Sequence, residues 1–231
     1  MRATALLVAA LALPLQAAPI LPPVTELAGW VPALLPQQTL PLTRFTPVDL
    51  DGTRALRIEA QRSYGNLMHE LPADARAARS LSWRWRVERF AEGADLRRKT
   101  GDDTAAKVCL MFDLPLERVP FLERQTLRIA RAAAGERLPA ATLCYVWDAT
   151  LPAQSVLPNA YTRRLRWIVL QGAGSPLGRW QTERRDLTAD FIAAFGDESR
   201  ELPPLRAVLV GADADNTGGT SVSHLADLEL Q

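Results

Sequence analysis

A clear alternation of side-chain types runs through Ser80-Leu81-Ser82-Trp83-Arg84-Trp85-Arg86-Val87-Glu88-Arg89-Phe90. Its large apolar side chains alternate with charged ones: Trp83, Trp85 and Val87 share one parity, and Arg84, Arg86 and Glu88 share the other. Successive side chains of a strand point to opposite faces of the sheet. The alternation therefore predicts a half-buried antiparallel strand with a tryptophan-rich inner face.

Similar runs lie on both sides of this strand. Asp51-Gly52 separates the alternating runs 44–50 and 54–60, which predicts a hairpin because both turn residues must accept positive φ. The other candidate strands are Ala105–Asp113, Ala141–Trp147, Arg164–Gln171, Leu205–Ala212 and Ser221–Leu230. Short strands joined by Gly/Pro-rich turns, with few crossover helices, predict an all-β fold: an antiparallel β-sandwich or jelly roll.

Two helical segments interrupt the strands. Pro120–Gly135 places Leu122, Ile129, Ala130 and Ala133 near one stripe, with Gly135 as the C-cap. Thr188–Phe195 reads as a shorter helix that Thr188 caps and Gly196 ends. Because no repeat or linker follows Arg44, residues 44–231 are expected to form a single domain.

Composition excludes several classes of protein. The 231 residues are 48% apolar and 23% charged with a net charge of +1, which argues against a disordered chain and against binding to nucleic acid. Only 13 Gly and 2 Cys exclude a collagen-like chain and a disulfide scaffold.

The N-terminus has the pattern of a secretory signal peptide over residues 1–17. Arg2 precedes an apolar run that is too short to span a bilayer, and Ala17 is a small residue at the expected cleavage point. Residues 18–43 form a Pro-rich leader. We therefore expect an exported protein, periplasmic or secreted, with no transmembrane segment.

The two cysteines, Cys109 and Cys144, lie in candidate strands. Buried free thiols are the favoured interpretation, since Cys is among the most buried residue types. A cross-strand disulfide requires the two strands to be neighbours with facing side chains. Export would permit such a bond.

Catalytic signatures are absent from the sequence. His69 and His224 are the only histidines, and there is no His-Glu-x-x-His helix, Gly-x-Ser-x-Gly elbow or Gly-rich phosphate loop. We therefore assign no catalytic residue.

A first acidic cluster, Asp102-Asp103, stands just before a strand and follows Arg98 and Lys99. Adjacent carboxylates at a strand mouth can accept hydroxyl hydrogen bonds from a sugar, bind a cation or form half of a catalytic pair. The structural alternative is that one Asp caps the turn while the other pairs with a nearby Arg or Lys.

A second acidic cluster, Asp213-Ala214-Asp215-Asn216-Thr217-Gly218, lies between two late strands. It resembles the start of an EF-hand Ca²⁺ loop, but position five is Thr217 and position twelve is His224 rather than Glu. Asp213, Asp215 and Asn216 remain candidate Ca²⁺ ligands, although a tight turn needs the same residue types.

Aromatic residues offer a further sugar-binding feature. A solvent-facing row of rings is suited to stacking on sugars, and Trp85 is the candidate for this role. The alternative, which the alternation of Trp83 and Trp85 favours, is that both rings belong to the core.

Taken together, these segments resemble a bacterial family catalogued as domain of unknown function 3047. The resemblance is carried by Leu81–Val87, Gly101-Asp102-Asp103, Leu143–Trp147, Asn159-Ala160-Tyr161-Thr162, Trp180–Arg184 and Asp213–Gly218. One departure is Ala160, where Pro is expected. The resemblance implies exported proteins with a fold similar to the galactose-binding-like jelly roll, and no established activity.

Three functions remain open at this point. The first is non-catalytic binding of a carbohydrate or cell-envelope glycan, with Asp102, Asp103, Lys99, Arg98 and Trp85 as ligand contacts and Ca²⁺ as a candidate cofactor. The second is a glycan hydrolase or lyase in which the two acidic clusters converge in one cleft. The third is an envelope interaction protein that docks through the 120–135 helix. Oligomeric state is not indicated.

Overall fold

The fold consists of two β-sheets packed face to face. The computed structural model describes residues 19–35, 37–134 and 138–231, so the predicted signal peptide and the predicted cap Gly135 lie outside the described residues. The strands are β1 Val31–Ala33, β2 Arg44–Leu50, β3 Thr53–Gln61, β4 Tyr64–Glu70, β5 Ser80–Arg89, β6 Lys107–Phe112, β7 Ala141–Trp147, β8 Val156–Pro158, β9 Leu165–Gln171, β10 Gln181–Asp186, β11 Leu205–Asp213 and β12 Thr220–Leu230. The helices are α1 Phe121–Ala134 and α2 Leu187–Phe195.

The strands form a seven-stranded sheet, β1-β4-β11-β6-β7-β9-β8, and a five-stranded sheet, β10-β5-β12-β3-β2. Neighbouring strands pair antiparallel except β7 and β9, which are parallel. The predicted all-β sandwich of the jelly-roll kind is therefore confirmed, with one parallel pair that the sequence did not indicate.

The predicted hairpin is confirmed in detail. Leu50 pairs with Thr53 across the turn, and Asp51 and Gly52 both have positive φ, 50° and 74°. Leu56 and Ile58 are buried, as the alternation predicted. The turn chemistry therefore fixes the register of β2 and β3.

Tryptophans from facing strands fill the space between the sheets. Trp83 and Trp85 of β5 are buried, with ring centroids 5.3 Å from Tyr145 and 5.8 Å from Trp147 of β7, respectively. Trp85 Nε1 donates to Glu183 Oε1 of β10 at 3.1 Å. Trp85 therefore belongs to the core, and its predicted role as a ligand contact is wrong because β5 turns this parity inward.

The segment before Arg44 is part of the folded structure. β1 pairs with β4 at the edge of the seven-stranded sheet, and Leu21, Val24 and Trp30 are buried in the main core. The division into signal peptide, leader and single domain stays a prediction.

The outer face of the seven-stranded sheet carries a second apolar layer. In β6, Val108 and Leu110 face the main core, whereas Cys109 and Met111 face outward into a separate apolar cluster. This cluster also contains Trp167 of β9 and Leu209 of β11. Both faces of this sheet are therefore largely apolar.

Cys109 and Cys144 form a disulfide within this outer layer. They are direct partners in the antiparallel pairing of β6 and β7, with Cα atoms 4.0 Å apart. The favoured interpretation of two free thiols is therefore wrong. The neighbouring strands bring the two side chains onto the same face, which the sequence alone did not show.

Helix α1 buries a different face from the predicted one, and helix α2 has a different N-cap residue. Leu122 and Ile129 of α1 are 78% and 73% exposed, and Leu127 is buried instead, because α1 turns a different stripe toward the sheet. In α2 the N-cap is Asp186 rather than Thr188, since Asp186 Oδ1 accepts from the Thr188 and Ala189 N–H groups. In the described part of the chain, no helix is long and apolar enough to cross a membrane.

Candidate functional site

The two acidic clusters of the sequence meet at one place in the fold. β6 and β11 are antiparallel neighbours, and Lys107 near the start of β6 pairs with Gly211 near the end of β11. The residues before β6 and those after β11 therefore lie side by side. This arrangement brings together four carboxylates, those of Asp102, Asp103, Asp213 and Asp215, which we call the aspartate cluster.

A buried ion pair anchors the cluster. Lys107 Nζ lies 2.8 Å from Asp213 Oδ2, and both side chains are buried. Asp213 Oδ1 also accepts from the backbone N–H and the hydroxyl of Thr104, at 2.7 and 2.6 Å. Burial opposes the charge on Lys107, but Asp213, Tyr64 and Asp102 outweigh that effect and raise the pKa of Lys107 above its usual range.

Asp103 holds the loop between β11 and β12. Its carboxylate accepts from the N–H of Asn216 at 3.0 Å and from the N–H and hydroxyl of Thr217 at 2.8 and 2.6 Å. Asp103 therefore acts as a loop cap, which is the structural alternative that the sequence left open for one of the paired aspartates.

Asp102 and Asp215 are less completely bonded. Asp102 Oδ2 accepts from Asn159 Nδ2 at 2.6 Å, but Asp102 Oδ1 and Asp215 Oδ1 are buried and have no hydrogen-bond partner among the described residues. Asn216 Nδ2 lies near both, 3.5 Å from the Asp102 carbonyl and 3.4 Å from Asp215 Oδ2. Two buried acceptors of one site thus lack donors.

Both of these carboxyls are shifted toward neutrality. Burial, together with the charges of Asp213 and Asp103, raises the pKa of Asp102 to about 6, against the opposing hydrogen bond from Asn159. Burial and the same two charges raise the pKa of Asp215 to about 6. Carboxyls with such shifts beside a groove are typical of functional sites.

Tyr161 adds an exposed aromatic ring to the cluster. Its hydroxyl donates to Asn216 Oδ1 at 2.7 Å or to the Lys99 carbonyl at 3.0 Å, and its side chain is 57% exposed. Burial of the hydroxyl and the charges of Asp102 and Asp215 raise the pKa of Tyr161. Lys99 Nζ lies over the ring, 5.2 Å from its centroid.

A groove of about 580 Å³ runs along the outer face of the seven-stranded sheet under α1. Lys107, Tyr64 and Tyr161 line the groove beside the aspartate cluster. Asn66 lines it as well, and its Oδ1 is a third buried acceptor with no partner among the described residues. Gly211 makes room for this side chain, since a Cβ there would lie 2.2 Å from Asn66 Oδ1.

Of the predicted ligand contacts Arg98 and Lys99, only Lys99 lies beside the aspartate cluster. Arg98 is exposed and pairs with Asp95 at 2.9 Å, and Arg97 also pairs with Asp95. The hydrogen bond from Arg97 is the main reason that the pKa of Asp95 falls to about 2. Asp95, rather than Asp102 or Asp103, is therefore the partner of these arginines, and only Lys99 stays beside the cluster through Tyr161.

Two of the three predicted Ca²⁺ ligands, Asp213 and Asn216, are engaged by other groups of the protein. Both oxygens of Asp213 accept from Lys107 or Thr104, and Asn216 Oδ1 lies 2.7 Å from the Tyr161 hydroxyl. Within residues 19–35, 37–134 and 138–231, no group of three or more His, Cys, Asp or Glu side chains is arranged to hold a metal.

The two histidines lie elsewhere. His69 Nδ1 is 2.8 Å from the Gly29 carbonyl, and His224 is buried on β12 beside Glu88. The residues that sequence reasoning missed are Lys107, Asn159, Tyr161 and Asn66. Two signals were available: Lys107, a single charge at the start of the apolar run 108–112, and the Asn159-Ala160-Tyr161-Thr162 segment that carries part of the family resemblance.

Fold and site together define a jelly-roll β-sandwich protein with an aspartate cluster beside an apolar groove. The chain belongs to the family described as Protein of unknown function (DUF3047), which matches residues 28–229. The resemblance noted from the sequence is therefore confirmed. No curated protein matches the chain.

Two examples represent the solved structures that are similar to this chain. One is the xyloglucanase domain of NopAA, a type three effector from Sinorhizobium fredii, in complex with cellobiose: 8% identity, TM-score 0.42, covering 87% of this chain and 92% of that one. The other is Trichoderma harzianum endoglucanase 3 from family GH12: 9% identity, TM-score 0.41, covering 81% and 83%.

Replacing Asp102 by Asn is expected to stabilise the protein at pH 7.5. The native pKa of about 6 lies above the unfolded value, so the native state carries a penalty that grows as pH rises from 4 to 6 and is complete above 6. Asp102→Asn should raise the free energy of unfolding by about 1–2 kcal/mol at pH 7.5, allowing for solvent screening, and by almost nothing at pH 4. Urea unfolding at both pH values measures this, with Asp49→Asn as an exposed control. An equal gain at both pH values would contradict it.

Replacing Asp213 by Asn is expected to destabilise the protein, in contrast to Asp102→Asn. The substitution leaves the Lys107 ammonium buried without its partner, which should lower the free energy of unfolding by about 3–5 kcal/mol. The double variant Lys107→Met/Asp213→Asn removes both charges and should recover part of this loss. A loss below about 1 kcal/mol in the single variant would show that the pair is not buried in solution.

Proposed function

We propose that this protein binds a carbohydrate or cell-envelope glycan without catalysis, at the end of the groove beside the aspartate cluster. One observation carries the proposal: Asp102 Oδ1, Asp215 Oδ1 and Asn66 Oδ1 are buried acceptors for which the described residues supply no donor. A buried acceptor without a donor costs free energy, and sugar hydroxyls supply donors. Sugar hydroxyl groups bound here would donate hydrogen bonds to these three acceptor oxygens.

The charges near the site favour a neutral ligand. Lys107 is neutralised by Asp213, and the remaining carboxylates repel anions. The exposed ring of Tyr161 offers an apolar face to the C–H side of a sugar ring. Export to the periplasm or out of the cell, which the N-terminal sequence predicts, would bring the site into contact with envelope glycans.

Binding is tested with a glycan array, followed by calorimetry with cellotetraose, maltotetraose and chitotetraose. We expect at least one neutral oligosaccharide to bind, and Asp102→Ala/Asp215→Ala to weaken it by roughly a hundredfold or more, since each of the two lost charged acceptors contributes about 1.5–3 kcal/mol. Asp49→Ala removes an exposed carboxylate that pairs with Arg54 and serves as the matched control. No binding to any glycan, or full binding by the double variant, would overturn the proposal.

Glycan hydrolysis by the same carboxylates is the second candidate function. The observation that favours it is the pKa of Asp102, raised to about 6 beside a second carboxyl with the same shift. A carboxyl of this kind can give its proton to the glycosidic oxygen as the C–O bond breaks, while the ionised partner takes a proton from the attacking water.

Release of reducing ends from the bound oligosaccharides distinguishes the two functions. A hydrolase should give a rate that changes with an apparent pKa near 6 and should lose roughly a hundredfold or more in Asp102→Asn. Binding with no release of reducing ends at any pH from 4 to 8 would leave binding alone.

A further inference from the structure

We infer that the ligand of this site is an amphiphile: a glycosyl head at the aspartate cluster joined to a hydrocarbon chain that lies in the groove under α1. The inference rests on the proposed glycan binding and names the chemical class of its ligand. It follows from three features of the outer face of the seven-stranded sheet.

The first feature is the continuity between cluster and groove. Side chains two residues apart on a strand share a face and are about 7 Å apart. On β6 the outward positions run Lys107, Cys109, Met111, and on β11 they run Asp213, Gly211, Leu209. The outer face of the sheet therefore changes from charged to apolar within a few residues along each of the two strands.

The second feature is the apolar lining of the groove beyond that change. The apolar side chains of its floor and roof include Cys109, Met111, Trp167 and Leu209 of the sheet and Leu127 and Ala130 of α1. Glu123, Arg163 and Arg164 also line the groove, and Glu123 pairs with both arginines. The volume of about 580 Å³ lies within the range of roughly 300–1,000 Å³ that small-molecule pockets have. A free sugar at the cluster would leave this lining in contact with water.

The third feature is the rim. Leu34, Leu35 and Leu122 border the groove and are exposed to solvent. A hydrocarbon chain would cover both rim and lining, and it brings no polar group that needs a partner there.

A peptide suits the groove less well than a hydrocarbon. A bound peptide carries N–H and C=O groups into the groove, and these need hydrogen bonds. The floor strands β4, β11, β6, β7 and β9 are each paired on both sides, so none offers an open edge to an added strand. The apolar walls therefore favour a chain without backbone polar groups.

The experiment measures the affinity of hexyl, heptyl and octyl β-D-glucoside by calorimetry, each below its micelle-forming concentration. Each methylene added in the groove should tighten binding by roughly fourfold. Octylphosphocholine has the same chain and no hydroxyl donor, so it should bind clearly more weakly than octyl glucoside.

Two variants locate the chain. Ala130→Trp fills the groove from α1 and should weaken octyl glucoside by roughly tenfold, the effect of losing about two methylenes. Ala132→Trp adds the same ring to an exposed position of the same helix and should leave binding unchanged. Circular dichroism and thermal unfolding confirm that both variants are folded.

The outcomes separate this inference from the proposed function. If cellotetraose or another free oligosaccharide binds and added methylenes do not tighten glucoside binding, the inference fails and glycan binding stands. If octylphosphocholine binds as well as octyl glucoside, the glycosyl head is wrong. If neither free sugars nor glucosides bind, both proposals fail.

Discussion

The ion pair between Lys107 and Asp213 is the constraint on which the rest of the site depends. It joins the outward faces of β6 and β11 at 2.8 Å, and Thr104 adds two hydrogen bonds to the same carboxylate. Because both oxygens of Asp213 are engaged in this way, its carboxylate has a fixed position beside Asp102 and Asp215. The raised pKa values of Asp102 and Asp215 follow from burial together with this fixed charge.

Strands could be predicted from the sequence where one face of the strand is exposed to solvent and the other is packed in the core. β5 and β3 alternate cleanly for this reason. β4 has no such alternation, because the outer face of the seven-stranded sheet is apolar as well. β10 reads Gln-Thr-Glu-Arg-Arg-Asp and buries only Glu183, since it is an edge strand, and β1 and β8 have three residues each.

The candidate site was half predictable. Chemistry alone singled out Asp102, Asp103, Asp213, Asp215 and Asn216, because carboxylates and amides at strand ends are unusual enough to notice. Their proximity was not predictable, since it depends on β6 lying beside β11, and Lys107 and Asp213 are 106 residues apart in the chain. For Trp85 the alternation of β5 already favoured a core position, and the other interpretation, a ring that stacks on a sugar, is the one that the structure overturns.

The disulfide between Cys109 and Cys144 makes the floor of the groove more rigid than the α1 side. It cross-links two adjacent strands of the floor, which are also held by their neighbours on both sides. The opposite wall is a helix that, over residues 121–132, buries only Leu127 and is tied to the body by Glu123 through Arg163 and Arg164. If a thicker ligand binds in the groove, helix α1 therefore has to move to make room, because the strands of the floor keep their spacing.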